Sequence, residues 1–449
     1  MTSLYHAAVR AVDPSRLVHE SLGRRSRALF VRSLSAGRRE FVFAKKRVAL
    51  LALGKASVPM AAAANEALTD LVDDGLVIAP RQGPQHGLPD RYRLMHGSHP
   101  HPGEDSVAAA VAALTLASSL GADDLLLVLL SGGGSALMAA PAEGLSLDDK
   151  ARTIALLMAA GAPIVEVNLV RGALSRVKAG RLAEAAGAAD VVTLVLSDLG
   201  DAGWHLVASG PTLGVPPTPK EARDILARYR LLPLVPPAVK DLLDDYHAPP
   251  QPSPHSGQRW SVLLGDIRTA LEGARAEALR LGSDVRVMPE LLHGEARGAA
   301  RRLALAGACA GNLIRRPGSG GRRLVTIFGG ETTVTVKGSG RGGRNRELAL
   351  ATATQIAGVP GAAVLVAGTD GIDNEPDAAG AFADDTTLGR AESLGLDPTR
   401  ALVDNDTGPF FATLGDAFAP GATGTNVGDV AFVLAPGGGS SPALPILPE

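Results

Sequence analysis

Cysteine is almost missing from this chain. The one thiol, Cys309, rules out an intramolecular disulfide and a cysteine-rich metal site. It lies in "LALAGACAGNL", where an apolar helix face would make it buried filler. Aromatic residues are scarce, at 3%, and alanine and glycine take their place, which favours tight packing of helices on a sheet. Charge of one sign is lacking too. A formal net charge of -2 offers no basic excess for nucleic acid or for an anionic membrane surface. No apolar run approaches the roughly 20 residues of a membrane span. The N-terminal "MTSLYHAAVRAVDPSRLV" has the spacing of an amphipathic helix and lacks the charged and apolar blocks of a signal peptide. The expectation is a soluble cytoplasmic protein with no nucleic-acid or membrane partner.

What is present is a chain of 449 residues, enough for two or three domains with sizeable cores. Short runs rich in Val, Leu and Ile alternate with longer Ala/Leu/Arg segments. Strands are expected at 47–54, 124–134, 190–198, 260–266, 284–292, 323–336 and 362–371. Helices are expected at 57–74, 105–119, 174–187, 268–281 and 345–357. Several strands are apolar almost throughout, so both their faces must be covered, as in a parallel or mixed sheet under helices. The fold class is therefore α/β, doubly wound. The Pro- and Ser-rich stretch "YHAPPQPSPHSGQRW" reads as a linker at 246–260, between a domain at 1–245 and a second at 261–449. "RRPGSGGRR" (315–323) reads as a polar loop, and the tail from residue 435 as frayed.

Ligands of such sheets bind beyond the carboxyl ends of the strands, so the residues that end each strand carry the most weight. "LLVLLSGGGSALM" runs from a strand into Ser131, Gly132, Gly133, Gly134 and Ser135, then a helix-like segment. That is a phosphate-binding arrangement, although no Walker lysine follows. "LALGKAS" places Lys55 after a strand and a glycine, where it can set a point charge on a phosphate or carboxylate. "LVLSDLGDAGWHLVASGPT" supplies Asp198 and Asp201 after a strand, with Ser209 and Thr212 in the next turn. A carboxylate there can take a proton from a hydroxyl or hold Mg²⁺; spacing alone does not divide the two roles. In "HGSHPHPGEDS", His96, His99 and His101 lie close in sequence, but Pro100 and Pro102 disfavour a zinc geometry, and an extended loop near the site is the expectation.

In "FGGETTVTVKGSGRGGRNRELAL", Glu331 precedes Gly338, Gly340 and Gly343, which have the G-x-G-x-x-G spacing of a dinucleotide-binding turn. The arginines inside the loop, Arg341 and Arg344, followed by Asn345 and Arg346, fit charge on transferring oxygens better than a pyrophosphate lying on bare backbone. The next acid at a strand end, Asp370, lies farther on than the roughly 20 residues of a true fingerprint. "VAGTDGIDNEPDAAGAFAD" gathers Asp370, Asp373, Glu375, Asp377 and Asp384 in one loop, suited to a metal, to substrate hydroxyls or to turn chemistry alone.

Taken in order, "LGKAS", "SHPHPGEDS", "LLSGGGSALM", "LSRVKAGRLA", "LSDLGDAGWHLVASGPT", "GGETTVTVKGSGRGGRNRELAL", "GTDGIDNEPDAAGAF" and "GATGTNVGDV" resemble the glycerate 2-kinase family. This is the type with a C-terminal MOFRL domain, often labelled hydroxypyruvate reductase. The resemblance covers about residues 50 to 434. It implies an N-terminal Rossmann-like α/β/α domain, a smaller C-terminal α/β domain with a mixed sheet, and an active site in the cleft between them. It also implies ATP-dependent phosphorylation of D-glycerate at its 2-hydroxyl with Mg²⁺. Matching motifs carry catalysis to Lys55, Asp198 and Arg344. Nucleotide phosphates then fall to residues 131–135, substrate contacts to Ser209, Glu331, Asn345, Asp370 and Asp373, and the metal to Asp201. Two departures are Arg346, where the family pattern has glutamine, and a histidine in "HPHP" in place of a small apolar residue.

The alternative reading is an NAD(P)-dependent hydroxypyruvate reductase or another 2-hydroxy-acid dehydrogenase, resting on the glycine spacing at 338–343. A non-catalytic binding protein fits poorly with so many ionisable groups at strand ends. A homodimer is left open.

Overall fold

The computed structural model describes residues 1–26, 28–32, 40–82, 86–214, 216–244, 257–313 and 323–435. The expected linker (apart from 257–260), most of the 315–323 loop, the tail from 436 and the side chain of Cys309 lie outside that description. The chain forms two compact units. One is Pro14–Asp266; the other joins Met1–Asp13 to Ile267–Glu449.

The Pro14–Asp266 unit is built on a six-stranded sheet, parallel throughout. Its spatial order is Tyr92–Gly97, Asp74–Pro80, Arg47–Leu53, Asp124–Leu130, Asp190–Leu196, Arg259–Gly265. In chain order this is 3-2-1-4-5-6, the Rossmann arrangement, and the order reverses between Arg47–Leu53 and Asp124–Leu130. The central strands are buried on both faces: Leu50, Leu51, Leu127 and Val192 are fully buried. Each such side chain contributes roughly 1.5–3 kcal/mol of transfer free energy, which is why these runs read as unbroken apolar stretches. A second core, around Leu157, Val170, Leu226 and Val239, is made by helices Leu147–Ala159, Ile164–Ala173, Pro219–Arg228 and Pro237–Asp244. A small antiparallel sheet, Leu22–Arg25, Ala28–Arg32 and Glu40–Phe43, completes the unit.

The other unit holds a mixed six-stranded sheet in the order Asp284–Val287, Leu324–Gly330, Asp429–Ala435, Ala363–Gly368, Gly380–Asp384, Ala417–Phe418. Only its first pair is parallel. The N-terminal helix Thr2–Ala11 belongs here. It packs on helix Ile267–Arg280 so closely that a Cβ on Gly273 would meet the Ala11 Cβ at 2.4 Å. Tyr5 Oη donates to the Gly368 carbonyl at 2.9 Å and its ring stands edge-on to Phe418.

The units therefore differ at both edges from the division read off composition. Strand Arg259–Gly265 falls within and after the Pro-rich stretch, yet it pairs with Asp190–Leu196 and closes the parallel sheet. The first 13 residues leave the sheet nearest in sequence and bury Leu4, Tyr5, Ala7 and Ala8 in the other unit. Both are tertiary choices that local composition does not encode.

Candidate active site

At the reversal of strand order, two strand ends lie side by side and the chain turns tightly out of each. Ser131 N–H donates to the Leu53 carbonyl at 2.9 Å, and Lys55 N–H donates to the Gly132 carbonyl at 2.9 Å, so the Lys55 turn and the glycine loop are stitched together. Ser131 is buried, and its hydroxyl accepts the Ala56 N–H at 3.0 Å. It therefore fastens the two turns and does not face a ligand. Gly132 must be glycine: a Cβ there would sit 2.0 Å from Asp198 Oδ2. Gly133, at φ +82°, passes Lys55 and His99; a Cβ on it would lie 3.2 Å from Lys55 Cγ and 3.4 Å from His99 Nε2. Lys55, Asp198, His99 and the glycine loop thus come from four strand ends and meet at one place.

This place holds a buried carboxylate beside a cation. Burial pushes Asp198 above the ordinary aspartate range, while its own N–H and the Lys55 ammonium pull it back. Burial holds His99 below the ordinary histidine range, with Lys55 and His101 acting in the same direction, so it is a neutral imidazole at pH 7. Its loop is fixed by Ser106, whose hydroxyl accepts the N–H groups of Ser98 at 3.0 Å and Gly103 at 3.2 Å. Asp201 is exposed beyond this cluster. Among the described residues, no group of three or more His, Cys, Asp or Glu side chains stands ready as a metal cage. A Mg²⁺ bound through one or two carboxylates and substrate phosphates needs none.

On the far side of the loop, sequence reasoning passed over a set of cations. Ser135 and Ser209 share a hydrogen bond of 3.0 Å, and Ser209 donates to Asn168 Oδ1 at 3.3 Å. Arg171 donates to the same Asn168 oxygen at 3.1 Å. Lys178 Nζ donates to the Ser135 carbonyl at 2.6 Å and also to its hydroxyl. A cavity of about 420 Å³ opens here, lined by Ser135, Lys150, Arg171 and Lys178 among others. A signal for Lys150 was available: in "LDDKARTIALLMA" it shares the helical face of Ile154 and Leu157, an odd place for a lysine. Lys178 lay inside "LSRVKAGRLA", noticed only as a motif.

In the Met1–Asp13/Ile267–Glu449 unit the glycine-rich stretch has a different purpose from a dinucleotide turn. A Cβ on Gly338 would strike the Asp404 backbone at 2.3 Å, and one on Gly343 the Asp373 carboxylate at 2.2 Å. These glycines let the loop lie against its own chain, where the N–H groups of Gly338, Gly340 and Arg341 are taken by Asn405, Asp404 and Asp406. The first N–H groups of helix Arg344–Ile356 are also taken: Asn345 N and Arg346 N donate to the two Asp373 carboxylate oxygens at 2.9 and 3.0 Å. Asp373 and Asn345, expected as substrate contacts, are buried instead. Asp373 caps the helix and accepts Arg346 Nε at 3.1 Å, and Asn345 Nδ2 reaches the Ala379 carbonyl and Asp429. Arg344 grips Asp429 with Nε at 2.6 Å and Nη2 at 3.0 Å, and its Nη1 meets Glu331 at 3.0 Å. Burial works against its charge, but Asp429 and Glu331 outweigh it and secure the guanidinium. Asp370 is partly buried, and its side chain accepts the Ile372 N–H at 3.1 Å.

Comparison with known proteins gives the family and the fold. The family described as a domain of unknown function (DUF4147) matches residues 1–244, and the MOFRL family matches residues 324–429. The chain is 36% identical to the D-glycerate 2-kinase of Thermotoga maritima, over 86% of this chain and 90% of that one. It is 35% identical to the human glycerate kinase, over 95% and 91%. The chain belongs to the glycerate 2-kinase family. As a family member it is a small-molecule kinase. The crystal structure of the Thermotoga maritima glycerate kinase superposes with a TM-score of 0.79 at 33% identity, covering 96% of this chain and 97% of that one. A relative from Agrobacterium vitis, 38% identical over 86% of this chain and 99% of its own length, is provisionally named a hydroxypyruvate reductase, so that label does travel with the family. Among the described residues, no helix is long and apolar enough to cross a membrane.

Proposed function

We propose that this kinase transfers the γ-phosphoryl group of ATP to the 2-hydroxyl of D-glycerate, with Mg²⁺. The observation that carries the reading is the meeting of Lys55 and Asp198 on the glycine loop where the strand order reverses. A carboxylate raised by burial beside an ammonium is placed to accept a hydroxyl proton next to a phosphate-sized cradle. The names of the kinase relatives support the choice of D-glycerate.

In this reading the 2-hydroxyl proton passes to an Asp198 carboxylate oxygen as the hydroxyl oxygen closes on the γ-phosphorus. The bond to the β–γ bridging oxygen breaks and ADP leaves. Lys55 neutralises charge gathering on the transferred group, and Arg344, held in place by Asp429 and Glu331, does the same. Phosphoryl transfer asks little covalent chemistry of a protein; it asks for positioning and charge stabilisation. Asp201 and Asp198 offer the hard oxygen ligands that Mg²⁺ prefers, and the ion, when bound, spreads charge over the phosphate oxygens. Ser209 and Asp370 remain candidates for substrate hydroxyls, Glu331 as the residue that orients Arg344.

Two assays run side by side test the reading: ADP formation from ATP and D-glycerate with Mg²⁺, and NADH oxidation by hydroxypyruvate. The expected result is turnover in the first and none in the second. Phosphorus NMR of the product places the phosphate on O2. NADH oxidation without ATP consumption would replace the kinase reading with the reductase.

A further inference from the structure

The cationic cavity beyond Ser135 has no part in the proton-transfer chemistry just described, and its charge is not balanced. Lys178 is 2% exposed and Lys150 6% exposed. Among the described residues neither has a carboxylate partner, and nor does Arg171. Lys178 is held by the oxygens of Ser135 and Arg171 by the amide of Asn168. Lys150 Nζ, buried and at the cavity wall, meets no hydrogen-bond acceptor among the described residues. Burying one unpaired ammonium is costly, and burying it beside another and a guanidinium is costlier. Burial, with Arg171 and Arg181 nearby, pushes Lys150 down to about 7, and Lys178 also falls well below the ordinary lysine range. Such a set becomes favourable when an anion of more than one charge enters.

The rest of the wall says what is attached to that anion. Apart from His99 and His101 it is mostly apolar, and Met158 on it is left 58% exposed although its helix has a core face to bury. A three-carbon hydroxy acid has no use for an apolar wall and is far smaller than a cavity of about 420 Å³, a volume within the range of sites for drug-sized ligands. A purine nucleotide has both parts, an anionic chain and a flat apolar base.

Resting on the kinase reading, we propose that this cavity seats the nucleotide, with its phosphate chain against Lys150, Arg171 and Lys178 and its base along the Ile154–Met158 face of helix Leu147–Ala159. The glycine loop then lies at the terminal phosphate, between this seat and Asp198.

The test is calorimetric titration of the full chain with ADP, with tripolyphosphate and with D-glycerate, each alone. Lys150→Met keeps the length of the side chain and removes its charge. It should weaken ADP and tripolyphosphate alike by about 10- to 100-fold, leave D-glycerate unchanged, and not lower the melting temperature of the ligand-free protein. Ala155→Phe narrows the apolar wall at an exposed position; it should weaken ADP and spare tripolyphosphate. A wild-type ADP affinity in Lys150→Met overturns the proposal, as does loss of D-glycerate binding with ADP binding intact, which would give the cavity to the acid. Failure of the kinase reading looks different: the wild type would leave D-glycerate unphosphorylated while ADP binding still depended on Lys150.

Discussion

Buried positive charge is handled in opposite ways in the two units. In the unit with the mixed sheet, Arg346 is 1% exposed and is met by Asp373 and Asp377, and Arg344 is met by Asp429 and Glu331. In the unit with the parallel sheet, Lys150, Arg171 and Lys178 face a cavity; among the described residues Arg171 and Lys178 have only neutral oxygens as partners and Lys150 Nζ has none. A compensated buried charge is a structural fixture, and removing its counter-charge breaks the fold locally. An uncompensated one is a binding site waiting for its counter-ion, and removing it relieves the fold. The same kind of residue thus gives opposite signs when mutated, and that opposition can be tested.

The largest effect should follow Asp373→Ala. It takes from buried Arg346 its buried carboxylate, leaving only the half-exposed Asp377, and leaves two helix N–H groups without acceptors. The expected loss is about 3–5 kcal/mol of unfolding free energy, measured by chemical denaturation. A loss under about 1 kcal/mol, typical of a surface site, would show that Arg346 does not depend on the Asp373 carboxylate. Next comes Arg344→Ala, for which kcat should fall about 10²- to 10³-fold, the scale of one lost contact to developing charge. Arg344→Lys keeps the charge but loses the fork on Asp429 and should recover little. Near-normal turnover in both variants would make Arg344 a fixture like Arg346.

Much of this contrast was hidden in the sequence, for reasons that differ from residue to residue. Lys55, Asp198 and the 131–135 loop could be read because each ends an apolar strand, and strand ends are where such sheets bind ligands. The glycine spacing at 338–343 misled because close packing against one's own backbone and close approach to a pyrophosphate demand the same residue. The acidic loop was visible, but that Asp373 caps a helix 28 residues earlier is a tertiary fact. The mixed sheet as a class was anticipated, yet its strand Asp429–Ala435, placed near the middle, was not read as a strand. Strand Asp74–Pro80 is hard to read because Asp74 and Gly75 open it and leave only the short apolar run Leu76–Ala79, and Tyr92–Gly97 because Arg93 and His96 interrupt it. The cationic cavity draws on segments near 99, 133, 150, 171 and 178, and no local window contains it.

The third prediction sharpens the uncompensated side. The folded-state pKa of Lys150, about 7, lies below the ordinary 10.5. Between those values the unfolded chain holds more protons than the folded one, so stability rises with pH across that window. The penalty is fully present below pH 7 and gone above 10.5. Lys150→Met should therefore be more stable than wild type by about 2–4 kcal/mol at pH 7, and the gap should close as pH is raised toward 10.5. A gap independent of pH would mean that shape, not charge, sets the difference.

The smallest effect separates the charge of Lys150 from the position of its helix. Helix Leu147–Ala159 begins at a capping box: Ser146 Oγ accepts the Asp149 N–H at 3.0 Å and donates to the Asp149 carboxylate at 2.6 Å, which in turn accepts the Ser146 N–H. Lys150 is the next residue, so this cap sets where the ammonium begins its reach into the cavity. Ser146→Ala removes both bonds of the hydroxyl and should cost about 1 kcal/mol of stability. The body of the helix is still packed through Ile154 and Leu157, so Lys150 should stay in place and ADP affinity should change less than about threefold, well within 1 kcal/mol. If ADP affinity instead falls as far as in Lys150→Met, the cavity depends on an anchored helix end as much as on unbalanced charge. The two units would then differ less in how they treat buried cations than in how firmly each holds them.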